Sequence, residues 1–370
     1  MKNKLIIGFL IVSPLFYIGC GTKSEQSSNI EIEKIDFFSF KNMGQGSLDA
    51  VIKEKKYIKL DDSDDDFLFR HVDKIKIDET RIYVLDAWQN KLIVFERNGV
   101  GIGKVGDVGQ GPEEYLQITD FDINEVGDIY FIDGMGGGDR LFVFNKNLQF
   151  VSVRKLPFGA NTIKCLPNNK ILFGLEIGNK GENSSKVIAV TNSDLQTEQS
   201  HLEYGEYIDD GYWRSSYRFG EIDSVTQYNI QADNYVYEFS NDGSLVKAYL
   251  FDFGSKNVPD KYKNGIEGNM EEFRHLCCFQ NFTVINAQYI LGMLWDKLKN
   301  KIFIVSRRTQ KIYYSEDMAD YDFNDFIGYY NNHLISLLSP DNFDKFHDLP
   351  ADIKKHLKQE GFAVCLSELK

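Results

Sequence analysis

The sequence contains no Cys-x-x-Cys pair, no His-x-His or His-Glu-x-x-His arrangement and no Gly-x-Ser-x-Gly segment. These absences exclude a zinc site of the paired-cysteine kind, a zincin centre and a hydrolase nucleophile elbow. Beyond the first twenty residues no apolar run reaches membrane-spanning length. There is no long basic run either: Asp and Glu number 55 against 42 Lys and Arg, for a formal net charge of −13. Such a chain neutralises phosphate backbones poorly, so nucleic acid is excluded as a partner. Tryptophan is scarce, with 3 residues against 28 Phe and 20 Tyr. What is abundant is hydrophobic content of 42% and aromatic content of 14%, enough to bury a core and weighted toward strands.

The N-terminus carries Lys2 and Lys4, then an apolar stretch from Leu5 to Ile18 interrupted by Pro14, and ends in Gly19-Cys20. A positive region followed by a short apolar one is a secretory signal, too short for a comfortable membrane span. Residues 17–20 resemble the bacterial lipobox, with Tyr17 departing from the usual aliphatic residue. The resemblance implies cleavage after Gly19 and lipidation of Cys20. Residues 1–19 are therefore expected to be a lipoprotein signal peptide and residues 20–29 a small, polar tether. The expected location is exported and lipid-anchored to the bacterial outer membrane, on its periplasmic or surface side. The membrane is then a partner through the anchor. The other cysteines, Cys165, Cys277, Cys278 and Cys365, allow three disulfide pairings in such a compartment, with buried free thiols as the alternative.

From residue 30 onward the chain repeats. Short apolar strands beginning at Leu92, Leu141, Val187 and Val236 each run into an Asn/Asp-rich turn, at intervals of 46 to 49 residues. A second strand precedes each, as in Ile82–Asp86 and Ile129–Asp133, and the unit returns around residues 301–315. A period near 47 with about four short strands per unit is the signature of a β-propeller. Residues 30–370 are read as a single all-β domain, a six-bladed propeller. Short helical insertions are expected near residues 258–275 and 350–360. The last blade is expected to combine the C-terminal strand, residues 362–366, with early strands at 30–40 and 57–60, closing the ring.

Residues 104–115, KVGDVGQGPEEY, resemble the G-x-G-Q-G-P-x-E-Y segment of a family of bacterial six-bladed β-propeller lipoproteins. DIYFID at 128–133 and VKAYLFDFGSKNVP at 246–259 are related features. That family is similar to NHL-repeat propellers and is common in gut bacteria. The resemblance implies the propeller fold and an envelope location, and it implies no particular activity.

Several segments look chemical. Gly101, Gly103 and Gly106 match G-x-G-x-x-G, but Pro112 and further glycines follow where a helix would be needed, so the segment reads as a glycine-rich crossover between blades. Residues 122–128 resemble an EF-hand start but lack its bidentate Glu, and read as a β-turn. The acidic run at 61–66 reads as a solvated loop. No metal site and no cofactor is expected. An aromatic segment at 204–219 offers the candidate ligand-binding residues Asp209, Asp210, Tyr212, Trp213 and Arg214, suited to a glycan or peptide.

No catalytic residue is assigned from sequence. The leading expectation is a lipid-anchored module that binds a ligand or an envelope protein, more a binder than an enzyme. The alternative is an NHL-like propeller enzyme, of lactonase or lyase type, with a metal on the central axis.

Overall fold

The computed structural model describes residues 30–40, 48–134, 138–204, 219–222, 225–230, 233–263, 269–297, 299–314, 328–346 and 349–370. The described residues form six sheets. Two early strands, β1 (Glu31–Asp36) and β2 (Ile52–Lys59), precede the first complete blade. That blade runs β3 (Lys74–Ile77), β4 (Arg81–Asp86), β5 (Lys91–Glu96) and β6 (Gly101–Lys104). The second runs β7 (Ile118–Ile123), β8 (Ile129–Asp133), β9 (Arg140–Phe144) and β10 (Phe150–Lys155). The third runs β11 (Ala160–Leu166), β12 (Lys170–Leu175), β13 (Lys186–Thr191) and β14 (Thr197–Glu203). The fourth runs β15 (Phe219–Ile222), β16 (Val225–Asn229), β17 (Tyr235–Phe239) and β18 (Leu245–Asp252). The fifth runs β19 (Cys277–Ile285), β20 (Tyr289–Asp296), β21 (Lys299–Ser306) and β22 (Lys311–Tyr314). The sixth is built from β23 (Gly328–Tyr330), β24 (His333–Leu338) and β25 (Ala363–Leu369), with β2 as its outer strand. The expected six-bladed propeller is therefore the observed fold.

The middle strands explain why the repeat shows in the sequence. In β4 every residue after Arg81 is buried, and in β5 only the two end residues escape. A strand covered on both faces by neighbouring blades must be apolar throughout, so RIYVLD and KLIVFE read as unbroken runs. Between the first two blades the core is aromatic: Phe131 and Phe142 stack with centroids 5.1 Å apart, and Tyr115 meets Phe131 edge-on. The outer strand β10 leaves most side chains at least partly exposed, and carries no such run.

Closure takes two steps, one of them unexpected. β2 pairs antiparallel with β25, Ile52 opposite Leu369 and Lys59 opposite Ala363, so N- and C-terminal strands do share the last blade. β1 does not join them. It adds as a fifth strand, parallel to β18, on the fourth blade. The reason lies just after it: Phe37 is fully buried among Phe251, Phe253 and Phe303, between the fourth and fifth blades. Farther on, Val51 packs with Leu291 and Met293 of the fifth blade. The N-terminal segment thus laces three consecutive blades.

A second correction concerns the glycine-rich segment. Gly101–Lys104 is the fourth strand of the first blade, and the crossover proper follows it. There Gly106 takes φ +63°, and a Cβ would stand 2.8 Å from the Phe144 ring, so both conformation and packing favour glycine. The helical insertions are short: α1 (Met270–Phe273) is a single turn, and α2 (Ala351–Leu357) buries Ile353 and Leu357 against the sixth blade. None of the described helices is long and apolar enough to cross a membrane. Cys165, Cys277, Cys278 and Cys365 are all buried and unpaired.

Candidate functional site

The first strand of each blade faces the ring axis, and at one end the hairpin turns leaving these strands frame a cavity of about 820 Å³. Its charged wall comes from four blades. β3 supplies Lys74 and Lys76, β7 supplies Asp122, β11 supplies Lys164 and β15 supplies Glu221, with Asp120 of β7 and Thr162 of β11 buried beneath them. Within a strand these residues sit two apart, the spacing that puts side chains on one face.

The side chains form two layers. In the deeper one Lys74 Nζ donates to Asp120 Oδ1 at 2.7 Å. Thr162 Oγ1 donates to Asp120 Oδ2 at 2.6 Å, and the Ile163 amide donates to the same oxygen at 2.9 Å. One buried carboxylate thereby ties three blades together. In the layer nearer the mouth, Asp122 accepts from Lys76, from Lys164 at 3.3 Å and from the Cys165 amide at 2.7 Å. Glu221 Oε2 accepts from Lys164 at 2.7 Å and from Lys76 at 3.3 Å.

Electrostatics fixes the charge states. Burial would raise Asp122, but Lys164, Lys76 and Lys74 outweigh it and hold the carboxyl well below its usual range. Burial would likewise lower the Lys76 ammonium, and Asp122 and Glu221 reverse this, so it stays protonated. Lys76, with Lys164 assisting, holds the Glu221 carboxyl below its usual range. Burial, reinforced by Asp122, pushes the neighbouring Cys165 thiol up, which makes it a poor nucleophile. A protonated lysine is neither a base nor a Schiff-base former. It is a donor and a stabiliser of negative charge.

The fifth and sixth blades complete the lining with Val284, Tyr329, Tyr330 and Ile335, of which the two tyrosines keep partial exposure. Tyr330 is backed by the Arg97 guanidinium, 5.5 Å from its ring centroid, and Tyr329 Oη accepts from Asn286 at 3.1 Å. The site is amphipathic: cations and carboxylates from four blades, aromatic surface from the sixth.

The candidate residues Asp209, Asp210, Tyr212, Trp213 and Arg214, and Cys20, lie outside the described residues. The segment at 122–128 is a turn as expected, with Asn124 Oδ1 accepting from the Val126 and Asp128 amides. Asp122 at its head, however, belongs to the axial cluster. The acidic run at 61–66 closes on itself, Asp61 and Asp64 accepting from the Ser63 and Asp66 amides. Among the described residues no group of three or more His, Cys, Asp and Glu converges where a metal ion could sit. The axial carboxylates are neutralised by lysines instead, so these residues do not fit the metal of the enzyme alternative. The sequence reading assigned none of the axial lysines or carboxylates, although the alternation in KIKI, DFD and TIK was there to see.

A family described as a 6-bladed beta-propeller, DUF5128, matches residues 23–274. No curated protein matches the sequence significantly. Among solved structures, a putative exported protein from Bacteroides fragilis superposes with a TM-score of 0.73 at 16% identity, covering 92% of this chain and 99% of that one. A member of the DUF4221 family from Bacteroides vulgatus gives a TM-score of 0.53 at 10% identity, over 86% of this chain and 96% of its own. A virginiamycin B lyase from Staphylococcus aureus gives 0.43 at 10% identity, over 85% and 99%. These likenesses concern the fold. The expectation of a binder rather than an enzyme does not stand, because it rested on the lack of a local catalytic motif. That absence carries no weight where the axial groups come from four different blades.

Proposed function

We propose, on the premise that the chain belongs to the DUF5128 family of six-bladed β-propellers, that the axial cavity is its functional site and takes a small organic anion. The observation that carries this reading is the Lys76–Lys164 pair, converging from two blades on one oxygen of Glu221 at the cavity wall. Two ammonium groups held in a water-poor setting attract a ligand's negative charge. They also stabilise negative charge that develops on a substrate, so the same pair serves turnover as well as binding. The cavity volume of about 820 Å³ suits a ligand of small-molecule size.

The finer part of the reading is that this propeller is NHL-like and works outside the cytoplasm, tethered through a lipidated Cys20 at the outer membrane. The signal-like N-terminus supports it, as does the description of the Bacteroides fragilis relative as a putative exported protein. Replacing Cys20 with Ser is expected to move the folded chain into the soluble fraction.

The cavity is tested by a thermal-shift screen of small organic acids and neutral analogues, with each hit then assayed for turnover. Val126 lines the cavity and is 67% exposed, so Val126→Trp should obstruct entry without disturbing the core. Hits that bind this variant as well as wild type would place the ligand elsewhere.

A further inference from the structure

We infer that Glu221 occupies, from within the chain, the place of a ligand's carboxylate, and that the axial cavity selects monocarboxylates carrying an apolar or aromatic body. The inference rests on the reading of this cavity as the ligand site and goes on to the ligand's class.

The two carboxylates of the upper layer are held very differently. Asp122 is 3% exposed and bound by two lysines and a backbone amide, so it is part of the frame. Glu221 is 58% exposed, and both of its lysine contacts fall on Oε2 alone. Turning Glu221 toward solvent leaves Lys76 and Lys164 still bound to Asp122, whereas moving Asp122 would also free the Cys165 amide in a buried setting. Only the Glu221 end of these pairs reaches water, Lys164 being 9% and Lys76 18% exposed, so an incoming carboxylate must take over both ammonium contacts as Glu221 leaves.

Charge counting gives the valence. Lys74, Lys76 and Lys164 face Asp120, Asp122 and Glu221, a balanced set. With Glu221 swung away, one positive charge is left over, which one carboxylate neutralises and a phosphate dianion over-fills. The rim adds Asp78, Glu79 and Glu125 against Arg81 and Lys146, an acidic surplus that repels polyanions. A carboxylate alone would leave most of the cavity empty. Tyr329 and Tyr330, both half-buried, supply aromatic surface for the rest of the ligand.

The test is calorimetric titration of benzoate, benzyl alcohol and phenylphosphonate into the full chain and its Glu221→Gln variant. Glu221→Gln removes the internal competitor and keeps the side chain's size. It is expected to bind benzoate about tenfold more tightly than wild type, a gain of about 1.4 kcal/mol. Benzyl alcohol should show no gain, and phenylphosphonate a smaller one. Adding Lys164→Met to Glu221→Gln should abolish the gain, and Lys76→Met serves the same purpose should the first double variant fold poorly. Benzoate binding no tighter in Glu221→Gln than in wild type overturns the inference. If screen hits are nevertheless lost in Val126→Trp, the cavity remains the ligand site and only the role of Glu221 falls. If hits are indifferent to Val126→Trp as well, the reading of the cavity falls with it.

Discussion

Arg307 Nη2 donates to Glu33 Oε1 at 2.7 Å, joining the fifth blade to a strand that belongs to the fourth. The other Glu33 oxygen accepts from Lys247 of β18 at 2.8 Å. Glu33 is therefore a clasp between blades, although all three side chains keep partial access to water. Glu33→Gln should cost about 0.5–1 kcal/mol in urea unfolding, as expected of half-exposed pairs. It should also speed protease cleavage between β1 and β2. Unchanged cleavage would mean that Phe37 alone holds the segment.

The deeper axial layer should matter far more. Asp120 is fully buried and carries Lys74, Thr162 and the Ile163 amide. Asp120→Ala strands a buried ammonium and should cost about 3–5 kcal/mol. Thr162→Val, which removes one neutral donor, should cost about 1 kcal/mol. Similar losses for the two variants would show that water enters the layer and replaces the missing carboxylate.

Acid stability follows from Asp122. Burial pushes its pKa up, Lys164, Lys76 and Lys74 push it down further, and the balance lies below the usual carboxylate value. A carboxylate depressed in the folded chain contributes in full above its unfolded value, about 3.9, and loses that contribution as pH falls through and below it. The stability gap between wild type and Lys76→Met should therefore be constant from about pH 7 to 5 and shrink toward pH 2. A gap that does not change with pH would mean that the ion pair is not the source of the difference.

The four buried cysteines should be silent. Burial alone pushes Cys278 up to about 12, and Cys165, Cys277 and Cys365 are raised as well. In a Cys20→Ser chain a thiol reagent at neutral pH is expected to label none of the four natively and all four after denaturation. Fast native labelling of any one would contradict its burial.

Closure is tested by truncation. β25 pairs with β24 on one side and β2 on the other, so it is a central strand of its blade. Deleting residues 361–370 should abolish cooperative unfolding. Deleting residues 30–36 strips only an edge strand, and should lower the melting temperature while leaving one sharp transition.

What could be read from the sequence follows burial. The middle strands are enclosed on both faces, so their apolar runs repeat visibly and give the blade count. The inner strands are three to nine residues long and mix charges with apolar residues, as in KIKI and FGEI. Each is too short to stand out, and the axial site is legible only when four such strands are overlaid. β1 was misplaced because EIEKID, mixing charged and apolar residues, carries no signal in the sequence for one sheet edge over another. Its place is decided by Phe37, whose pocket is built from residues more than two hundred positions away.

Lys53 and Glu368, 315 residues apart along the chain, form an ion pair at 2.7 Å in the closing sheet. During synthesis the partner of β2 therefore appears more than three hundred residues after it. Until then the early strand must wait with that edge paired only to water, and contacts this distant are the slow ones to form. The ring thus has a built-in delay. The intervening blades can stack as they emerge into the folding compartment, but the ring closes only when β25 arrives, and a chain that stops short of it stays open.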